Sequence, residues 1–297
     1  MRIPEVNIKQ LLEAGVHLGH KTLRWNPKMR EYIFGDKNSI HIIDLTQTVV
    51  FLKNALLEIH KCISKGGKIL LVSTKKQASE QISALAKDTG QFFVNYRWLG
   101  GMLTNWNTIQ NSIKRMKLLN EQLSKDDIGF TKKEILKLGK ERDKLQRSLG
   151  GIADMKKIPD MIFIIDTNIE DLAVKESIKL NIPIVAILDT NSDPVGIDYP
   201  IPGNDDARRA INLYCDLIKE TIIDAQSNIS KAAIQENKDE NQFRTEKDSK
   251  EKKIKAVDKT VNKEKITPKK KEKIKVVKKI SKSIISKVKS LTAKKAK

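Results

Sequence analysis

Between Ile40 and Leu188, short apolar runs alternate with amphipathic segments, and this alternation narrows the possible folds more than any other feature of the chain. Ile40-His-Ile-Ile43, Ile69-Leu-Leu-Val72, Phe92 to Asn95, Met161 to Ile165 and Ile184 to Leu188 predict strands. Between them, Thr46 to Lys65, Gln77 to Lys87 and Glu170 to Leu180 predict helices, the first two closed by Gly66-Gly67 and Gly90. Uniformly apolar strands with intervening helices mean βαβ units and a parallel sheet covered on both faces. Tyr199-Pro-Ile-Pro-Gly203 is a further extended piece. Asn204 or Asp205 then caps a last long helix with Ala207, Ile211, Tyr214, Ile218 and Ile222 inward.

The rhythm breaks between Trp106 and Leu149, where only a helical period is present. Trp106, Ile109, Ile113, Met116, Leu119 and Leu123 recur every three or four residues, and Lys125 to Gly129 reads as a turn. Thr131-Lys-Lys-Glu134 matches a capping box and opens a second helix with Ile135, Leu138, Leu145 and Leu149 on one seam. The expectation is an antiparallel helical hairpin inserted at about 106–150, projecting as an arm whose seam is too narrow to be a core.

Two other stretches fit no simple period. Asn7 to Ala14 predicts a short helix with Ile8, Leu11 and Leu12 on one face. After it, His17 to Gly35 carries Lys21, Arg24, Lys28 and Arg30 interleaved with Trp25, Tyr32 and Phe34. Cations alternating with rings in an irregular loop suit RNA, where cations meet phosphate and rings stack on bases. The second stretch, Arg97-Trp-Leu-Gly-Gly-Met-Leu-Thr-Asn105, sets a glycine pair beside cationic and aromatic side chains. It reads either as backbone held close to a ligand or as a tight turn with core tryptophans at Trp98 and Trp106.

Charge is unevenly placed. The net charge is +20, yet residues 231–297 hold 24 Lys or Arg against 9 Asp or Glu, so the rest of the chain is only mildly basic. Domain expectations follow: a parallel α/β domain over 1–230 and a Lys-rich low-complexity tail over 231–297. The spacing of Ile274, Val277, Ile280, Ile284, Val288 and Leu291 predicts a basic amphipathic helix near 272–296. Such a tail points to polyphosphate or an acidic membrane surface. Cys62 and Cys215 lack any CxxC or Cys/His grouping and read as buried hydrophobes in a reducing compartment. With no apolar run long enough to span a bilayer and no signal-peptide core, a cytoplasmic protein is expected.

Three strands end in aspartate, at Asp44, Asp166 and Asp189, where an open α/β sheet keeps its ligand crevice. A phosphate- or metal-dependent enzyme is therefore the alternative. Against it, no strand is followed by a dinucleotide or nucleotide-triphosphate glycine motif, and no nucleophile motif is present. His17 and His20 have no Cys or further His nearby to complete a metal set. The residues offer no convincing catalytic constellation, metal site or cofactor.

Several separated motifs, in order, resemble one family: His17-Leu-Gly-His20, Arg24-Trp-Asn-Pro-Lys28-Met, Tyr32-Ile-Phe-Gly35, Ile40-His-Ile-Ile-Asp44-Leu, Arg97 to Asn105, Ser148-Leu-Gly-Gly-Ile152, Asp189 to Pro194 and Ile201 to Ala207. Over about residues 1–225 the chain resembles bacterial-type ribosomal protein S-two of the small subunit. The resemblance implies a flavodoxin-like α/β domain with an inserted helical hairpin, and no enzymatic activity. It also implies partnership with small-subunit ribosomal RNA and neighbouring small-subunit proteins, including docking of the large mRNA-binding ribosomal protein S-one. Carried over by motif, the RNA-facing candidates are Lys21, Arg24, Trp25, Asn26, Lys28 and Arg30 in the first loop. Arg97, Gly100, Gly101 and Asn105 follow in the second, with Lys114 and Arg115 at the hairpin base. Little base-specific readout is expected, and the glycine pair would bring backbone N–H groups to phosphate.

Overall fold

The computed structural model describes residues 4–124 and 131–228. The expected turn at Lys125 to Gly129 and the tail, with its helix near 272–296, lie outside the described residues. Helix α1 (Ile8–Ala14) is capped at Asn7, whose Oδ1 accepts from Lys9 N–H at 3.0 Å, and ends at Gly15 in the left-handed region. Leu11 is its one buried residue; Ile8 and Leu12, expected on the same inward face, are half exposed.

The stretch expected to be an irregular loop contains two strands. Strands β1 (Leu18–Lys21), β2 (Ile33–Lys37) and β3 (Ile40–Ile43) form an antiparallel sheet in the order β1-β3-β2. Ile40 to Ile43, expected as the first parallel strand, belongs here instead. The β2–β3 turn is Asn38-Ser39, with φ of 53° and 60° at its two central residues, the type I′ geometry that matches strand twist. Periodicity does not reveal β1 and β2 because each is short and half exposed and each contains a glycine, so neither shows a clean period of two.

Strands β4 (Ile69–Val72), β5 (Phe92–Val94), β6 (Met161–Ile165), β7 (Ile184–Leu188) and β8 (Tyr199–Pro202) make the main sheet. All its pairs are parallel and its order is β5-β4-β6-β7-β8. Numbered along this sheet alone, that is 2-1-3-4-5, the flavodoxin-like order, with its topological switch between β4 and β6. The prolines of β8 are tolerated because it is an edge strand.

Alternation along the strands divides the core in two. Ile69, Leu71, Phe163, Ile165, Val185 and Ile187 point into one cluster, shared with α1, α2 (Leu45–Ser64), α3 (Lys76–Thr89) and the helix over 208–228, α7. Leu70, Val72, Ile162, Ile164, Ala186 and Leu188 point into the other, shared with α6 (Asp171–Lys179) and with α4 (Trp106–Leu123). Both cysteines are free, Cys215 buried and Cys62 partly so.

Helix α5 (Lys132–Leu149) starts as its sequence foretells, with Glu134 Oε2 accepting from Thr131 N–H at 2.9 Å. The arm is only half an arm, however. Trp106, Ile109, Ile113 and Met116 of α4, with Leu149 of α5, belong to the second core cluster, so the hairpin base is part of the domain's packing. A 3-10 turn at Gly150–Ile152 fastens that base to β5, and a Cβ at Gly151 would collide with the Phe93 carbonyl oxygen. Gly151→Ala is therefore expected to cost about 2 kcal/mol as overpacking. Thermal unfolding followed by circular dichroism should show a fall of about 4–8 °C. Gly139→Ala, in mid-helix with nothing within 4 Å, should instead raise the midpoint.

Candidate nucleic-acid interface

The two RNA-candidate loops sit on the carboxyl edge of the main sheet. The first is tied to the loop after β7. Asn26 N–H donates to the Thr190 carbonyl at 2.8 Å, while Asn26 Oδ1 accepts from Lys28 N–H at 3.0 Å and caps the 3-10 turn Pro27–Tyr32. Met29 is fully buried and pins the turn into the second core cluster. Trp25 packs obliquely on His41, ring centroids 5.4 Å apart.

The second loop, after β5, is built around a carboxylate. Glu176 of α6 accepts five hydrogen bonds: from Trp98 Nε1 at 3.0 Å, from the N–H groups of Gly101, Leu103 and Thr104 at 2.8, 2.9 and 3.0 Å, and from the Thr104 hydroxyl at 3.1 Å. Burial alone would push its carboxyl up, but the Thr104, Trp98, Leu103 and Gly101 donors outweigh it and hold it below the usual range. Gly101 has φ +82°, a conformation costly for any side chain, which lets the chain fold back over the carboxylate. Trp98 and Trp106 are buried, as a tight turn with core tryptophans requires. The loop is thus an anion nest filled by the protein's own anion.

Of the twelve candidates, Lys21, Arg24, Arg30, Arg97 and Lys114 are exposed cations without an acidic partner among the described residues. Lys28 is paired with Asp193 at 2.7 Å, and Arg115 Nε with Glu141 at 3.0 Å across the hairpin. Asn26 is engaged as a cap, and Asn105 Oδ1 accepts from the Thr108 hydroxyl at 2.9 Å. The Gly101 N–H is taken by Glu176; Gly100 is exposed, with open space around it. Glu176 itself is not among the residues that motif and charge patterning single out. Its signal is a glutamate on the inward face of α6, where Ala173, Val174 and Ser177 are also buried.

The strand-end aspartates are occupied structurally. Asp44 Oδ1 accepts from Thr46 N–H at 2.9 Å and caps α2. Asp166 Oδ1 accepts from Asn168 N–H at 3.0 Å, while its Oδ2 lies 3.1 Å from Lys75 Nζ. That ammonium is also 2.9 Å from Asp205 and 2.6 Å from Asp206. One cation cannot neutralise three acids. Burial and the Asp166 and Asp189 charges push Asp205 up to about 7, even with Lys75 opposing. Asp189 accepts from His20 Nδ1 at 2.8 Å, a bond that raises the His20 pKa against burial. His20, Asp189 and Asp205 each offer one atom within 4.8 Å of the others, and Asp205 Oδ2 is buried without a partner. One imidazole and two carboxylates form a donor set that a divalent cation accepts. Local spacing leaves His20 alone because Asp189, after β7, lies 169 residues further along the chain, and Asp205, after β8, lies beyond it.

No helix among the described residues is long and apolar enough to cross a membrane. The family model for ribosomal protein S2 matches residues 11–225. The chain is 55% identical over 233 residues to the small ribosomal subunit protein uS2 of Parvibaculum lavamentivorans, covering 78% of this chain and 92% of that one. The uS2 proteins of Chelativorans sp. and Agrobacterium fabrum are each 58% identical over 224 residues, covering 75% of this chain and 84% and 88% of theirs.

Proposed function

The chain belongs to the ribosomal protein S2 family and is a structural constituent of the small ribosomal subunit, not an enzyme, and on that premise we propose that it grips small-subunit ribosomal RNA through the two carboxyl-edge loops. The observation that carries this reading is a set of five exposed cations with no acidic partner among the described residues, Lys21, Arg24, Arg30, Arg97 and Lys114. All five sit on segments already fixed by internal bonds, Lys114 on helix α4 at the hairpin base. Such a surface recognises phosphate position and RNA shape, releases counterions, and spends little on ordering the loops as it binds. Lys28 and Arg115 serve the protein's own architecture first. We assign the docking of ribosomal protein S-one to the antiparallel sheet, where Phe34 of β2 is 80% exposed, and to the turn after β1, where Leu23 is 95% exposed.

Filter binding of the full chain to small-subunit ribosomal RNA over a salt series tests the reading. Lys21→Gln, Arg24→Gln and Arg97→Gln together should flatten the log–log salt slope by about 2–3, at roughly 0.7–0.9 for each phosphate no longer neutralised. Lys28→Gln with Arg115→Gln should change it less. An unchanged slope in the triple variant would remove these loops from the interface.

A further inference from the structure

A groove of about 670 Å³ lies along the outer edge of β5, beside the second loop. Its volume falls within the range of roughly 300–1,000 Å³ seen for sites that enclose a small organic ligand. Helix α3 supplies Lys87 to one wall and α5 supplies Arg147 to the other, with Phe92, Phe93 and Tyr96 between them. The two walls belong to opposite faces of the sheet, since α3 packs in the first core cluster and the hairpin base in the second.

We propose that this groove takes an unpaired strand of RNA, with phosphates against Lys87 and Arg147 and a base stacked on Tyr96. The inference rests on the neighbouring loop being an RNA contact, because Tyr96 leads directly into Arg97. Four features select this occupant. Lys87 and Arg147 are exposed and neither has an acidic partner among the described residues. The acid in the lining, Asp154, is already paired with Lys117 at 3.0 Å. Three of the other polar side chains are engaged internally: the Ser79 hydroxyl donates to the Asn95 carbonyl at 2.8 Å, the Asn95 amide to the Ser79 carbonyl at 3.3 Å, and Gln91 Oε1 accepts from Ile69 N–H at 3.0 Å. Finally, Gly151 abuts the Phe93 carbonyl, so the strand edge is covered and cannot take an added peptide strand. What remains is two cations flanking aromatic rings, the arrangement that binds single strands by phosphate contact and stacking. A duplex, with its phosphates on a convex surface, does not enter such a recess.

The test uses the full chain. Lys87→Gln with Arg147→Gln should flatten the salt slope for small-subunit ribosomal RNA by about 1.4, at roughly 0.7 for each single-strand phosphate no longer neutralised. Both residues are exposed, so the melting curve should stay put. In parallel, a photoreactive phenylalanine analogue at position 96 is crosslinked within assembled subunits. The expected product is a crosslink to unpaired ribosomal RNA. A crosslink only to protein, or an unchanged salt slope in the double variant, overturns the proposal while leaving the loop reading intact. An unchanged slope in the Lys21, Arg24 and Arg97 variant would instead strike the loop reading itself, and the groove with it.

Discussion

Glu176→Ala is expected to lower the stability of the domain by about 3 kcal/mol, because it leaves buried donors without an acceptor at roughly 1–3 kcal/mol for each one that water fails to reach. For a domain of this size that is a fall of about 6–12 °C in the melting midpoint. Glu176→Gln should lie between, since an amide presents one oxygen and turns its NH₂ toward donors. If the second loop binds RNA as proposed, affinity should fall in both variants, because Arg97 and Gly100 ride on the loop that Glu176 shapes. The pH dependence has a definite sign. The folded-state pKa lies below the unfolded value near 4.5, so this contribution is complete above that pH and is lost as pH falls below it and through the lower folded-state pKa. Acid unfolding of Glu176→Gln should therefore be less steep than that of the parent below about pH 4.5. Equal acid slopes would mean that the carboxylate is not the acceptor described.

Lys75→Met should be the other severe substitution. Removing one partner of a buried ionic group strands the remainder, typically at about 3–5 kcal/mol. Here the remainder is Asp166, Asp205 and Asp206. Burial alone would lower the Lys75 pKa, but Asp205, Asp206 and Asp166 outweigh it and hold it above the ordinary value. Adding Asp205→Asn should recover part of the loss, since it removes the carboxylate that burial disfavours most. A double-mutant cycle with additive losses would show that these groups do not interact.

The parallel sheet was legible because its central strands β4, β6 and β7 are buried on both faces and read as unbroken apolar runs. The inserted hairpin was legible from its 3.6-residue period and the Thr131–Glu134 capping box. The antiparallel sheet was not. Strands β1 and β2 are short and half exposed, and the two-residue turn is Asn38-Ser39 rather than the more telling Asn-Gly. In the two candidate loops, charge and ring patterning could not tell free cations from paired ones. Lys28 meets Asp193 from 165 residues away, and Arg115 meets Glu141 across the hairpin. Nor could local reading show that the glycine pair serves an internal anion. Glu176 lies 75 residues beyond Gly101 and reaches it only through the packing of α6 against the loop.

The central claim is that the domain ending near Asn228, with its prearranged loops, attaches the chain to the small subunit. Sucrose-gradient sedimentation of lysate tests it most directly, with cells supplying either the full chain or a chain ending at Asn228 in place of their own protein. Both should run with small subunits, the shorter one dissociating at somewhat lower salt. If the shorter chain stays at the top of the gradient while the full chain sediments, attachment belongs to the basic tail and the loop account is wrong.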